Sequence, residues 1–204
     1  MTLFAISAFE SYTGLPDIVG YILSFVFGSA VGSFLNVVIH RVPREESIVF
    51  PNSACPKCKS PIKPYDNIPI LSWLILRGKC RGCAAPISAR YPAVELLTGI
   101  LWVLVFWQLD LSPLLPVGYL FVSVTVALMF IDAEHMILPN VITYPFAVIA
   151  FAVRLLFPIL FVGSYFADTQ LWPMSIMSGY PAWVVSMTGA LLGALAGGGS
   201  LWLV

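Results

Sequence analysis

Long apolar runs alternate with short polar breaks along most of the chain. Ile18 to Ile39 is uncharged, and a run of that length crosses a hydrocarbon core of roughly 30 Å as a helix. Ala93 to Leu109 and Ser112 to Ile131 are apolar apart from Glu95 near the first entry, with Asp110 and Pro113 marking a tight turn between them. Val141 to Gly163 carries one charge, Arg154, and Pro181 to Val204 carries none; a polar loop around Asp168 separates them. The pattern predicts an all-α polytopic membrane protein with about five transmembrane helices. The second is the shortest.

Composition agrees with the pattern. The 204 residues are 59% hydrophobic and 10% charged, against roughly 25% charged in soluble domains. An ordinary water-soluble globule and a disordered tail are excluded, and four cysteines are too few to staple a chain this long as a disulfide miniprotein. Acidic and basic residues cancel, so net charge predicts no nucleic-acid partner. Position is more informative than sum. Nine of the ten basic residues fall between Arg41 and Arg90, where only Glu45, Glu46 and Asp66 oppose them, a net +6. Basic loops collect on the cytoplasmic side, so this island between the first and second spans is expected inside. By alternation, Glu10, Asp17, Asp110 and Asp168 are expected outside, and Asp132 to Asn140 inside. No basic residue precedes the first apolar run, unlike a cleavable signal peptide, so the first span is expected to stay.

Gly28 and Gly32 in the first span, and Gly189, Gly193 and Gly197 in the fifth, recur every four residues. Such spacing lines one helix face with residues small enough for close packing in lipid. The Gly197-Gly198-Gly199 run has no following Lys and makes a poor phosphate loop.

Within the basic island, Cys55-Pro-Lys-Cys58 and Cys80-Arg-Gly-Cys83 are two CxxC pairs separated by twenty-one residues. A reducing cytoplasm disfavours disulfides, and four thiolates close a tetrahedral shell around zinc. Metal then supplies folding energy that a loop this polar cannot draw from a core. Lys57, Lys59, Lys79 and Arg81 offset the negative charge of the site. An iron centre or thiol chemistry are the alternatives. A closed four-ligand site is structural rather than catalytic, and tethering between two spans disfavours a nucleic-acid-binding zinc ribbon.

The segment Ile131-Asp132-Ala133-Glu134-His135-Met136-Ile137-Leu138-Pro139-Asn140 joins the third and fourth spans. An ionisable group at a span terminus is a candidate functional residue, although Asp132 could equally just mark the interface. Glu134 points to another face of any continuing helix and makes a poor partner for Asp132. His135 is within local reach. Glu95 is placed near the inner start of the second span, where a helix N-terminus favours it. Arg154 lies roughly 20 Å into its span at about 1.5 Å per residue, too far to pair with Asp132, and is expected to snorkel or to pair within the bundle.

Taken together, several segments resemble the prepilin peptidase family, the bifunctional leader peptidases and N-methyltransferases of bacterial inner membranes. Gly32-Ser33-Phe34-Leu35-Asn36-Val37-Val38-Ile39-His40-Arg41 is similar to the family's signature at the end of its first span. Cys55 through Asn67-Ile68-Pro69, Ser72-Trp73-Leu74, Arg77-Gly78-Lys79-Cys80 and Arg90-Tyr91-Pro92 to Glu95 resembles its cytoplasmic cysteine domain. Asp132 through Leu138-Pro139-Asn140 resembles the motif carrying the first of two catalytic aspartates. The resemblance implies a first helix over residues 18–39, a cytoplasmic four-cysteine domain over 41–91 and a membrane peptidase domain over 92–204. It implies an aspartic endopeptidase, with Asp132 catalytic, that cuts the basic leader of type IV prepilins and type II secretion pseudopilins. It also implies methylation of the new N-terminus, with S-adenosylmethionine as donor, although no dinucleotide-type glycine fingerprint accompanies it.

The family places its second aspartate in a Gly-x-Gly-Asp motif after the fifth span, and no such motif occurs in these 204 residues. The expectation is therefore a C-terminally truncated form with little or no peptidase activity; Asp168, expected on the other face of the membrane, is no substitute. Two readings compete. One is a non-catalytic scaffold docking a pilus or secretion partner through its zinc-stapled loop. The other is a small transporter using Arg154 and Asp132, which their separation in depth disfavours. Membrane lipid is the surrounding partner in every reading, and the sequence sets no oligomeric state.

Overall fold

The computed structural model describes residues 7–158 and 180–202. Seven α-helices account for most of them: α1 (Ala8–Thr13), α2 (Asp17–Arg41), α3 (Leu71–Ile75), α4 (Arg90–Leu109), α5 (Leu115–His135), α6 (Asn140–Leu156) and α7 (Ala182–Trp202). No strand is present among the described residues; two isolated antiparallel bridges, Ala54 with Pro61 and Lys79 with Pro86, are the only β pairing there. Helices α2, α4 and α5 are long and apolar enough to span a membrane, whereas α6 and the described apolar part of α7 are shorter.

The chain separates into two compact units, Met1–Pro139 and Asn140–Val204. In the first, α2, α4 and α5 pack on one another. Close approach of α2 and α4 is set by the glycines. A Cβ at Gly32 would lie 2.8 Å from the Cα of Glu95, and one at Gly28 would lie 2.8 Å from Trp102 Cβ and 3.0 Å from the Cα of Gly99. This is the small-residue face expected from the four-residue spacing. Trp102 stacks on Tyr119 at 4.0 Å and donates to Ser123, joining α4 to α5. At the opposite end, Asp110 in the turn after α4 accepts from the backbone N–H groups of Ala8 and Phe9, so its carboxylate caps α1.

Helix boundaries differ from the sequence expectation in instructive ways. The second span begins at Arg90, not Ala93; Pro92 falls in the first turn, where a missing N–H removes no helical bond. The third runs from Leu115 to His135, so Asp132 belongs to the last helical turn instead of following it. The fourth ends at Leu156, short of Gly163; the Asp168 loop and residues 159–163 lie outside the described residues. In the second unit, Arg154 Nη1 donates to the carbonyl of Ser186 on α7 at 3.2 Å, and the Ser186 hydroxyl returns a bond to the Arg154 carbonyl at 3.4 Å. Of the two expected fates for this arginine, pairing within the helices is the one observed. Gly193 has nothing within 4 Å of a built Cβ, so at this glycine the small-residue face of the fifth span meets no neighbour among the described residues.

Candidate functional site

The basic island folds around its cysteines. Each CxxC pair closes a tight knuckle: the Lys59 N–H reaches the Cys55 carbonyl at 2.9 Å, and the Ala84 N–H reaches the Cys80 carbonyl at 2.9 Å. Lys59 and Ala84 both adopt the left-handed conformation, at φ 58° and 55°. Cys55 N–H then bonds to Ser60 O and Cys80 N–H to Ala85 O, while Ile62 and Ile87 bond back to Ser53 and Gly78. The two knuckles are copies of one unit. Their sequences, Cys-Pro-Lys-Cys-Lys-Ser-Pro-Ile and Cys-Arg-Gly-Cys-Ala-Ala-Pro-Ile, share a Cys-x-x-Cys-x-x-Pro-Ile pattern at an interval of twenty-five residues. That repeat is legible in the sequence and extends the signal beyond the cysteines.

Facing each other, the knuckles bring all four sulfurs within 4.8 Å of one another. Cys55 and Cys83 are 3.8 Å apart, and Cys58 and Cys80 4.0 Å. A tetrahedral ion with metal–sulfur bonds of about 2.3 Å sets sulfur–sulfur separations of about 3.8 Å. The thiols are free, and the donor set fits a metal ion such as zinc. Hydrogen bonds from the Ser60 hydroxyl and backbone N–H hold the Cys58 thiol down at about 6, and backbone N–H groups of Cys83 and Gly82 lower Cys80. Both shifts favour the thiolate that a metal requires, whereas Cys83, despite a lowering backbone hydrogen bond from Ala85, is pushed up to about 11 by desolvation and by the other three sulfurs.

The knuckles are joined to the membrane helices through α3. Trp73 Nε1 donates to the Ile87 carbonyl at 3.1 Å, and Ser72 bridges Ile68 N–H and the Tyr65 carbonyl. Ile70, at φ 62°, donates its N–H to Glu95 Oε2 on α4 at 2.7 Å. Glu95 is 8% exposed. Its carboxylate therefore docks the cysteine domain on the bundle, rather than serving its own helix terminus. Asn36, also buried, donates to the Tyr91 carbonyl at the start of α4 at 3.1 Å.

Asp132 occupies the last turn of α5, exposed, with its backbone carbonyl accepting from Met136 at 2.8 Å. Met136 stops the helix in the left-handed conformation, at φ 53° and ψ 40°. No hydrogen bond or ion pair engages the Asp132 side chain among the described residues. Glu134 is turned to Arg90, whose Nη1 lies 2.5 Å from both carboxylate oxygens and whose guanidinium covers the Tyr91 ring at 4.9 Å. The expectation that Glu134 would not partner Asp132 agrees with this arrangement. The Arg90 partnership had no signal in the sequence, since forty-four residues separate the two. His135 Nε2 is buried without a hydrogen-bond partner.

A helical membrane protein with a four-sulfur knuckle pair docked on its first two long helices is the class that this architecture defines. Residues 26–109 match the family model described as the bacterial peptidase A24 N-terminal domain. The chain is 49% identical over 142 residues to the prepilin leader peptidase/N-methyltransferase of Myxococcus xanthus, covering 66% of this chain and 41% of that protein. It is 37% identical over 206 residues to the protein of that name from Neisseria gonorrhoeae, covering 89% and 63%. With the Klebsiella pneumoniae protein identity is 38% over 186 residues, covering 88% and 71%. The chain belongs to the prepilin leader peptidase/N-methyltransferase family, and it spans 41% and 63% of the length of the first two of these relatives. No solved structure matches it.

Proposed function

We propose that the protein is an inner-membrane aspartic endopeptidase of the prepilin type, in which Asp132 is one of two catalytic carboxylates. The observation that carries this reading is the placement of Asp132: the last turn of a membrane-length helix, exposed, and free of the salt bridge that occupies Glu134. Two close carboxylates cannot both ionise easily, so one retains a proton. The ionised member takes a proton from water as the water oxygen attacks the scissile carbonyl, and the protonated member donates to the carbonyl oxygen.

The substrates are prepilins and pseudopilins, whose apolar helix and basic leader place the scissile bond at the inner boundary. The Lys- and Arg-rich cysteine domain faces the cytoplasm, and Asp132, one span after the Asp110 turn, faces the same side. Zinc, bound by Cys55, Cys58, Cys80 and Cys83, is structural. S-adenosylmethionine, when bound, supplies the methyl group for the new N-terminal amine. Because residues 1–204 contain no Gly-x-Gly-Asp, these residues by themselves leave a prepilin uncut.

Fusing residues 1–204 to a relative's segment carrying Gly-x-Gly-Asp, and reconstituting the chimera with a prepilin, tests the reading. Leader removal that Asp132→Asn abolishes is the expected result. Cleavage that persists in Asp132→Asn overturns the assignment. A chimera that binds a pilus or secretion partner without cleaving supports the scaffold reading instead.

A further inference from the structure

The short helix α3 is built inside out for a water-facing surface. Its packed face holds Ser72 and Trp73, while Leu71, Leu74 and Ile75 are 56%, 57% and 74% exposed. Where this face lies is fixed by its neighbours. The preceding residue, Ile70, is bonded to Glu95, five residues into α4. Asn67 and Pro69, with Ser53, line a groove of about 280 Å³ against Ala30, Ser33, Phe34 and Val37 of α2. Ser33 and Val37 precede the end of α2 at Arg41 by eight and four residues, which is about 12 Å and about 6 Å at about 1.5 Å per residue. Glu95 is about 7.5 Å past Arg90 on the same measure. The segment leading into α3 thus lies alongside the spanning helices, several ångströms inside their basic ends.

Charge completes the picture. After Asp66 no acidic residue occurs until Glu95, while Arg77, Lys79, Arg81 and Arg90 all fall in that interval. Arg81 is paired with Asp66 and Arg90 with Glu134. Arg77 and Lys79 are exposed and have no acidic partner among the described residues. The left-handed pair Arg77-Gly78, at φ 53° and 66°, turns the chain just after α3, so the two cations follow Ile75 by two and four residues.

We propose that Leu71, Leu74 and Ile75 insert into the adjoining leaflet of the protein's own membrane, with Arg77 and Lys79 bound to anionic lipid headgroups. An apolar face rimmed by unpaired basic residues is the chemistry of an interfacial anchor. The consequence is that the metal-knuckle domain rests on the membrane at two points, Glu95 through protein and α3 through lipid.

Hydroxyl-radical footprinting of the 204-residue chain in nanodiscs tests this without any enzymatic readout. Labelling is read by mass spectrometry and normalised to each residue type's intrinsic reactivity. In discs containing phosphatidylglycerol, Leu74 and Ile75 should be protected relative to Tyr65, an exposed residue of the same domain. Protection should weaken in phosphatidylcholine discs. In Arg77→Gln/Lys79→Gln it should lose its dependence on phosphatidylglycerol, by about fivefold for each cation removed, with the metal content of the cysteine site unchanged as the check on folding. If Leu74 and Ile75 label as readily as Tyr65 in both lipids, the face is open to water and suits a soluble protein partner, and the proposal fails. Equal protection in both lipids overturns the headgroup assignment.

Discussion

Replacing Glu95 by Ala removes the one acceptor that holds the half-buried Ile70 N–H. A hydrogen bond to a charged group contributes about 1.5–3 kcal/mol. Ile70 also holds a backbone conformation that non-glycine residues rarely adopt, and such strain persists only where the surroundings enforce it. Loss of the carboxylate should therefore release the segment around residues 67–75 without unfolding α2, α4 or α5, whose packing rests on glycine contacts and on the Trp102–Tyr119 stack. At about 1.4 kcal/mol per decade, amide exchange in that segment should speed up about ten- to hundredfold. Glu95→Gln keeps a carbonyl acceptor of neutral strength, so its effect should stay below about tenfold. Hydrogen exchange read by mass spectrometry on the reconstituted chain supplies both values. Exchange at 67–75 within about twofold of wild type in Glu95→Ala would refute the docking role, as would equal acceleration in the middle of α2.

Three further outcomes are expected. Gly32→Ala puts a Cβ 2.8 Å from the Cα of Glu95, a backbone atom that cannot step aside, and the overpacking should outweigh the helix-propensity gain by about 1–2 kcal/mol, lowering Tm by about 2–8 °C; an unchanged or higher Tm contradicts the close α2–α4 contact. A zinc chelator should expose amides between residues 53 and 87 while leaving the helical circular dichroism of the spans largely intact, and a chelator-insensitive exchange pattern would count against metal in the knuckles. The Arg81 guanidinium holds the Asp66 carboxyl below its usual range, so this pair's contribution is fully present above the ordinary value of about 3.9 and is lost as pH falls through the lower folded value. Arg81→Gln should return the Asp66 titration, followed by NMR, to the ordinary range; the Arg81 side chain is exposed, so solvent screening should keep the effect on stability small.

Most of the architecture was written in the apolar runs. In lipid a backbone must satisfy its own hydrogen bonds, so runs such as Ile18 to Ile39 could hardly be anything but helices, and α2 covers that run with one or two residues at either side. Boundaries were less legible at Arg90 and His135, because both ends are polar: α4 starts without a side-chain cap, α5 stops at a left-handed Met136 that is not the usual glycine, and an ion pair between distant residues ties the two ends together. The cysteine spacing announced a four-sulfur site, and the Pro-Ile repeat after each pair specified two matching knuckles. What each acid does was harder to read. Glu95, Asp132 and Glu134 are all carboxylates near a helix end; the motif resemblance singled out Asp132, but no local pattern gave the partners of Glu95 and Glu134. Glu95 is taken by a backbone N–H and Glu134 by a guanidinium, which leaves Asp132 open.

By itself, then, the sequence determined the helices, the glycine face that brings α2 onto α4, and the cluster of four sulfurs, because each depends on local periodicity or on short spacing. Only the tertiary structure decided which carboxylate is engaged, where α3 sits beside the spans, and that its leucines and isoleucine face outward. Those outcomes depend on contacts between residues twenty-five and forty-four positions apart, and pairing over such distances is set by how the helices pack, which no local pattern encodes.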